Sequence, residues 1–198
     1  YWFNSCNQKE GIKENCGQGT CQNGQCSQAP AAGNASPVVV YSFNGDFKDS
    51  SGNGFDGTPY SGTMIVNQGV DGKSVSFDGE NDDVYNASFQ WKTGGAATAM
   101  FWLRMDKDDV QNGMAFGVGG SASPDRFLVA PWGNGVLYWD YGNTQTGRAS
   151  VDYRQYHGKW THVALVSQGN NGTYKAIYIN GELAAQATTS DGPDTPLQ

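Results

Sequence analysis

The fold is decided by residues 160–166, Trp-Thr-His-Val-Ala-Leu-Val, and by residues 177–185, Ile-Tyr-Ile-Asn-Gly-Glu-Leu-Ala-Ala. Both stretches are rich in β-branched and aromatic side chains, which favour the extended backbone of a strand. In the second stretch, Asn180-Gly181 interrupts the pattern with the strongest sequence signal for a two-residue type I′ turn. The sequence therefore predicts a strand, a gap and an antiparallel hairpin in the last quarter of the chain.

Strand patterns also fill most of the chain between residue 38 and this hairpin. Residues 98–105 alternate between two faces, as a half-buried strand does. The other predicted strands are residues 38–43, 126–130, 136–141, 161–167, 174–179 and 183–188. The 28 glycines disfavour long helices. These patterns predict an all-β protein, an antiparallel β-sandwich of the jelly-roll type.

The net charge of −7 and the pI of about 4.6 limit the classes of partner. An acidic surface repels nucleic acid and anionic lipid, so we expect no nucleic-acid partner. We expect no membrane insertion, because no apolar run approaches the roughly 20 residues that span a bilayer. Aspartate-rich loops can attract calcium, although mild acidity also simply favours solubility.

All four cysteines lie in the first 26 residues, at Cys6, Cys16, Cys21 and Cys26. An even number of cysteines in a short polar segment predicts two disulfides and an oxidising compartment; zinc is the alternative, but no CxxC spacing is present. Three N-x-S/T triplets, at Asn34, Asn86 and Asn171, are candidate N-glycosylation sites. We therefore expect a secreted, extracellular protein.

The composition divides the chain into three parts: a cysteine-rich segment over residues 1–29, a linker over residues 30–37 and a sandwich over residues 38–198. The linker, Ser-Gln-Ala-Pro-Ala-Ala-Gly-Asn-Ala-Ser-Pro from residue 27 onward, has the small and turn-forming residues typical of such connections. The first segment is too short to bury a core, so its crosslinks would have to stabilise it.

Two further stretches carry a family resemblance. They are residues 41–58, Tyr-Ser-Phe-Asn-Gly-Asp-Phe-Lys-Asp-Ser-Ser-Gly-Asn-Gly-Phe-Asp-Gly-Thr, and residues 72–79, Gly-Lys-Ser-Val-Ser-Phe-Asp-Gly. With the strand and hairpin of residues 160–185, they resemble the laminin-G-like domain of the concanavalin A-like lectin/glucanase superfamily, over residues 38–198. Residues 16–26 resemble part of an EGF-like module that lacks two cysteines. The superfamily contains lectins, adhesion modules and glycosidases, so function must be argued from sites.

The resemblance implies a calcium site and a missing end. Related domains with an Asp-Ser-Ser-Gly-Asn-Gly loop hold calcium through loop oxygens, which correspond here to Asp49 and Asn53. The alternative is a loop in which these side chains satisfy the backbone itself. Family members also continue after the hairpin, so we expect one or two C-terminal strands to be absent from this chain, leaving a sheet edge unpaired beside residues 38–43.

The sequence predicts no enzyme. In the superfamily, family-16 glucanases carry Glu-x-Asp-x-x-Glu on one strand, and the two glutamates act as nucleophile and acid. The nearest match begins at Glu80 and ends at Tyr85, so the acid is missing. The Arg-rich and Gln-x-His strands of alginate lyases are absent. Of the two histidines, we expect His162 to be a structural sheet residue and His157 to be solvated in a turn.

Glycan-binding candidates cluster between residues 132 and 143. Sugars stack on aromatic rings and hydrogen-bond to polar side chains, which selects Trp132, Asn134, Trp139 and Tyr141. Along this strand, Tyr138 and Asp140 share the face opposite to Trp139 and Tyr141. One pair should be exposed and the other should fill the core, since buried aromatics are the commoner case.

These features predict a non-catalytic extracellular recognition or adhesion module that binds a glycan or matrix glycoprotein, with calcium assisting. Two alternatives stay open. The first is a structural subunit of a fibre or surface appendage, which forms homo-oligomers through the unpaired sheet edge. The second is an accessory module of a polysaccharide-active enzyme.

The first testable prediction concerns the cysteines. Alkylation of the folded protein without reduction should label no thiol, because all four cysteines are expected to be paired within the chain. Intact mass spectrometry before and after reduction measures this. Four labelled thiols, or zinc released by acid, would show that the disulfide prediction is wrong.

Overall fold

The computed structural model describes residues 20–22, 25–27, 36–90, 96–108, 115–118, 127–131, 133–141, 148–168 and 174–188. The chain separates into two compact units, residues 1–38 and 39–198. The strands of the described residues are β1 Thr20–Gln22, β2 Gln25–Ser27, β3 Thr58–Tyr60, β4 Met64–Val66, β5 Ser74–Ser76, β6 Asp83–Tyr85, β7 Ala97–Leu103, β8 Phe116–Val118, β9 Phe127–Pro131, β10 Val136–Tyr141, β11 Ala149–Asp152, β12 Thr161–Gln168, β13 Tyr174–Ile179 and β14 Glu182–Thr188. A 3₁₀ turn spans Arg154–Tyr156.

In the first unit, the structure describes one antiparallel ribbon, formed by β1 and β2. Its register places Cys21 directly opposite Cys26. Cys6 and Cys16 lie outside the described residues, and the disulfides stay a prediction. The linker over residues 30–37 lies mostly outside the described residues as well.

Two four-stranded antiparallel sheets dominate the described part of the second unit. The first sheet has the order β14-β13-β12-β7, and the second has the order β11-β10-β9-β8. Two short ribbons, β3-β6 and β4-β5, accompany them. The predicted strands at residues 136–141 and 174–179 match β10 and β13 residue for residue. The predicted all-β fold of antiparallel sheets is confirmed.

The core lies between the inner faces of the two sheets. The second sheet contributes Leu137, Trp139 and Ala149, all fully buried, and Tyr153 follows directly after β11. The first sheet contributes four buried aliphatic residues, Val163, Leu165, Ile177 and Ile179. Each strand supplies every second residue, because successive side chains of a strand point to opposite faces. The hydroxyl of Tyr153 donates to the Leu103 carbonyl at 3.3 Å, which ties β7 to the end of β11.

The hairpin between β13 and β14 forms as the sequence predicts. Asn180 has φ of 52° and Gly181 has φ of 85°, the positive values that a type I′ turn requires at both central residues. Asn180 Oδ1 also accepts the backbone N–H of His162 at 3.0 Å, and this bond joins the turn to β12. Farther along, a β-bulge shifts the register between Ile177 and Tyr178, and Ala184 is the additional residue on β14.

The prediction of a strand at residues 38–43 is wrong. Only one isolated bridge, between Tyr41 and Asp49, forms in this segment. Phe43 has a φ of 51°, a left-handed conformation that an aromatic residue in a strand does not adopt. The N–H of Val40 donates to the carboxylate of Asp49 at 2.9 Å instead of to a neighbouring strand. Side-chain hydrogen bonds therefore replace sheet pairing at the start of the domain.

The second testable prediction follows from the core. Trp139→Ala should lower the free energy of unfolding by about 3–5 kcal/mol, because it removes a large buried ring and leaves a cavity. Urea denaturation followed by circular dichroism measures the loss.

Trp102→Ala is the matched control, because Trp102 lies on the outer side of β7 and is 50% exposed. Its loss should be much smaller. Equal losses for the two variants would contradict the assignment of Trp139 to the core.

Candidate functional site

The loop from residue 49 to residue 56 is organised around the Asp49 carboxylate. Its Oδ1 accepts the N–H groups of Val40 and Ser51, each at 2.9 Å. Its Oδ2 accepts the Ser51 hydroxyl at 2.8 Å and the Phe55 N–H at 3.1 Å. Four donors fill the four acceptor positions of a carboxylate. Asp49 therefore folds the loop onto the segment that precedes it.

The same bonds determine the charge of Asp49. Partial desolvation opposes ionisation, but the hydrogen bonds from Val40, Ser51 and Phe55 outweigh it and hold the pKa of the Asp49 carboxyl well below its usual value. Hydrogen bonds to the charged form of a carboxyl lower its pKa in this way. The neighbouring Tyr41 responds in the opposite direction: burial, and then the charges of Asp49 and Asp56, raise the pKa of its hydroxyl.

This loop was the predicted calcium site, and donors from the chain itself occupy the Asp49 carboxylate. Both carboxylate oxygens already accept two hydrogen bonds from the chain. Asn53 is turned toward Ser51, whose hydroxyl oxygen lies 3.2 Å from both its backbone nitrogen and its Nδ2. Among the residues that the structure describes, no three His, Cys, Asp or Glu side chains converge on one point. An ion at Asp49 would have to displace a donor.

A second polar group lies on the outer face of the second sheet. Tyr138, on β10, is half-buried, and the guanidinium of Arg148 lies over its ring at 5.0 Å from the centroid. Asn134, in the turn between β9 and β10, donates from Nδ2 to the Tyr138 hydroxyl at 2.7 Å. We call Asn134, Tyr138 and Arg148 the Tyr138 surface. It combines an aromatic ring, a planar cation and an amide at one place.

Arg154 braces the turn that carries Asn134. Its guanidinium donates to the Asn134 carbonyl through Nη2, and its Nε donates to Asp108 at 3.3 Å. It also packs against Gly135, where an added Cβ would lie 2.3 Å from the Arg154 Nε. Gly135 has a φ of 76° as well, so only glycine fits this position without strain. The side chain of Asn134 is therefore held on a rigid turn.

His157 is not the solvated turn residue that the sequence predicts. Its side chain is 21% exposed, and its Nε2 lies 3.4 Å from Asp108 Oδ1. Asp108 lies between His157 and Arg154, so its carboxylate contacts both side chains. Sequence reasoning missed this contact because Asp108 is about fifty residues away along the chain. His162, in contrast, is a residue of β12 as predicted, with its ring 5.3 Å from that of Trp102.

The structure corrects the predicted glycan-binding group. Trp139 is 0% exposed and belongs to the core, so no ligand in solution reaches its ring. Asn134 is exposed as predicted. Trp132 and the side chain of Tyr141 lie outside the described residues. Sequence reasoning left Tyr138 on one of two alternative faces and missed Arg148. One signal could have decided for Tyr138: Leu137 shares the Trp139 face, and two large apolar residues on one face indicate the buried side.

Of the three predicted glycosylation sites, the structure describes Asn86. Its Nδ2 donates to the Asp56 carbonyl at 2.7 Å, and its Oδ1 accepts from Ser88 and Phe89. The side chain therefore bridges two loops. Asn34 and Asn171 lie outside the described residues, and glycosylation at all three stays a prediction.

Two antiparallel sheets packed into a sandwich, with polar and aromatic groups on the outer face of one sheet, define a lectin-like β-sandwich. The family model Laminin_G_3, described as concanavalin A-like lectin/glucanases superfamily, matches residues 77–197. The chain belongs to this family. No curated protein sequence matches the chain.

One solved structure shares the fold. The chain is similar to the binding domain of Paraclostridial Mosquitocidal Protein 1, with a TM-score of 0.53 and 18% identity over 80% of this chain. It spans 42% of the length of that structure. It is also similar to an S-layer domain-containing protein from Clostridium thermocellum, with a TM-score of 0.42 and 25% identity, over 79% of this chain and 75% of that one. Among the described residues, no helix has the length and apolar character needed to cross a membrane.

The third testable prediction concerns the pH dependence of stability. The pKa of Asp49 is lowered by folding, so its contribution is complete above the unfolded pKa of about 3.9 and is lost as the pH falls further. Asp49→Asn should lower the melting temperature at pH 7, because an amide nitrogen cannot accept the bonds of Oδ2. The difference from the wild type should shrink between about pH 4 and pH 2.

Thermal unfolding over this pH range measures the effect. Asp71→Asn, a change of an exposed aspartate in another loop, is the control and should change the melting temperature little at any pH. A constant gap between wild type and Asp49→Asn down to pH 2 would contradict the assignment.

Proposed function

We propose that the protein is a non-catalytic extracellular recognition module that binds a glycan through the Tyr138 surface. The family to which the chain belongs contains lectins and glucanases, and a lectin-like sandwich fits a carbohydrate-binding module. The observation that carries the site is the 2.7 Å hydrogen bond from Asn134 to Tyr138, with Arg148 over the ring. Residues from β10, from the turn before it and from the position directly before β11 form one polar and aromatic surface on the sheet.

The chemistry of this surface suits a sugar. The guanidinium of Arg148 offers planar donors to ring and hydroxyl oxygens. The tyrosine contributes apolar area together with a polar hydroxyl. Because Arg154 braces the neighbouring turn, little conformational entropy is lost when a ligand orders Asn134, and preorganisation of this kind favours affinity.

Two positions support the absence of catalysis. Glu80, the residue nearest to the glucanase pattern, lies in an exposed bend, where its N–H donates to Asp78 at 2.8 Å. Tyr85, at the position of the second glutamate, ends strand β6. A retaining glycosidase needs two carboxyl groups about 5–5.5 Å apart across the scissile bond, and Tyr85 supplies none.

The structural-subunit alternative has less support than recognition. It requires an unpaired edge beside residues 38–43, and these residues form no strand in the structure. A role as an accessory module of a polysaccharide-active enzyme is a special case of the proposal, because such a module also binds glycans. Secretion is part of the proposal and is supported by the cysteine pattern and the sequons.

The fourth testable prediction is that Tyr138→Ala weakens binding to at least one glycan that the protein recognises by about tenfold or more, as truncation of a central aromatic residue does. A glycan array identifies the ligand, and isothermal titration calorimetry measures the affinities. Tyr60→Ala is the matched control, since Tyr60 is an exposed tyrosine on β3.

Equal affinity of wild type and Tyr138→Ala for every array ligand would contradict the site, and no binding at all would contradict the function. Release of reducing ends from the bound glycan should stay at background. Turnover that Glu80→Gln abolishes would overturn the non-catalytic assignment.

Calcium assistance at Asp49 and Asn53 is a separate proposal, and its test is the fifth prediction. Calcium added to chelator-treated protein should raise the melting temperature, because a ligand that binds only the native state stabilises it by about 2.7 kcal/mol at a hundredfold excess over Kd. Asp49→Ala should abolish the rise. If neither calcium nor chelator changes the melting temperature, calcium has no part in the proposed function. The proposal of the glycan site would not be affected.

A further inference from the structure

The outer face of the first sheet is apolar where a sandwich is normally polar. Antiparallel sheets usually place polar residues on the solvent side. Here Met100 is 64% exposed, and Trp102 and Leu183 are each 50% exposed. Three large apolar side chains exposed on one sheet face are a candidate interaction site.

Strand register brings these residues together. His162 lies opposite Trp102, and Ala164 of the same strand lies opposite Met100. Ala164 also lies opposite Tyr178, which in turn lies opposite Leu183. The result is one row of four residues across all four strands, beside the Trp102–His162 pair. We call the six residues the Trp102 face: Met100, Trp102, His162, Ala164, Tyr178 and Leu183.

The fold does not need this face to be apolar. The same strands bury their other side, where Val163, Leu165 and Ile177 form the core. The exposed rings therefore contribute nothing to the packing between the sheets. Trp102 is held in place by the imidazole of His162, with ring centroids 5.3 Å apart and the planes at 68°. An edge-to-face contact of this kind orients the indole while leaving half of it open.

Charge limits what the Trp102 face can bind. None of its six residues is Asp, Glu, Lys or Arg. Arg104, which follows directly after the end of β7, forms an ion pair with Asp106 at 3.1 Å, so its charge is compensated at the border. The chain as a whole carries −7. A charged partner would lose hydration at this face and gain no counter-charge in return, so the surface favours a neutral partner.

The area of the Trp102 face indicates whether its partner is a small ligand or a protein. Rows two residues apart along a strand are about 7 Å apart, and four strands span about 14 Å. The two rows therefore cover on the order of 100 Å². A stable protein–protein interface buries about 800 Å² on each partner. A second copy of the chain would have to find most of its contact area elsewhere, whereas a short oligosaccharide matches the two rows.

From these observations we infer that the Trp102 face is a second saccharide-binding surface, selective for uncharged sugars. Trp102 is the platform on which the apolar face of a pyranose ring stacks. The imidazole of His162 and the hydroxyl of Tyr178 lie in the adjacent positions and hydrogen-bond to sugar hydroxyls. The inference rests on the proposed function in one respect only, that the domain binds glycans; it concerns a different sheet from the Tyr138 surface.

The test uses the whole chain and two neutral β-glucan oligosaccharides, cellohexaose and laminarihexaose. Calorimetry measures the affinity, and tryptophan fluorescence reports contact with the indole. At least one of the two sugars should bind and change the emission. Trp102→Ala should weaken binding at least tenfold, Trp102→Phe should retain part of it, and Tyr60→Ala should change nothing.

A second variant tests the face without removing the ring. Ala164→Arg places a long charged side chain in the centre of the row and should also abolish binding. Tyr138→Ala is measured beside it to separate the two surfaces. Loss of binding in Tyr138→Ala alone would assign the sugar to the Tyr138 surface and overturn this inference while sustaining the proposed function. Circular dichroism confirms that each variant is folded.

Other outcomes overturn the inference as well. If neither oligosaccharide binds, the face does not recognise neutral β-glucans, and the glycan array decides the proposed function independently. If ultracentrifugation shows a concentration-dependent dimer that Ala164→Arg dissociates, the face is a contact between copies. If phosphatidylcholine vesicles bind the wild type and not Ala164→Arg, the occupant is a lipid surface.

Discussion

The structure depends on one constraint, the burial of alternate residues of each strand in a shared layer between two sheets. Once Leu137 and Trp139 face that layer, Tyr138 must face solvent, because the side-chain period of a strand is two. The same rule on the other sheet buries Val163 and turns His162 outward. Core and binding surfaces are therefore two sides of the same strands. A change that shifted one strand by one residue would exchange them.

Much of the fold was accessible from the sequence because its long strands alternate clearly and one turn has a distinctive dipeptide. Residues 38–43 were misassigned for a local reason: the apolar run resembles a strand, but the Asp49 carboxylate binds the Val40 N–H and Phe43 turns left-handed. For the candidate site, alternation divided residues 138–141 into two faces but did not say which one was covered. That choice depends on the opposite sheet. The Asp108–Arg154 pair and the Arg148–Tyr138 pair form only through tertiary contacts.

Asp49 illustrates how one charged group can order a loop. A carboxylate in an oxygen-rich loop has the composition of a calcium ligand, yet its acceptors here are occupied by chain donors. Those bonds connect the loop to the segment before it, outside either large sheet. The two roles compete for the same lone pairs, so composition alone does not distinguish them.

The bulge on β14 has a consequence for how this domain can change in length. Ala184 is the residue for which β13 offers no opposite partner, since Leu183 lies opposite Tyr178 and Ala185 lies opposite Ile177. A chain without Ala184 would keep every one of these pairs, and each neighbour would keep its side of the sheet. The bulge therefore absorbs one surplus residue. At this point of the strand, an insertion or deletion of a single amino acid is compatible with the same fold. Elsewhere in the sheet, the same change would move the following side chains to the opposite face.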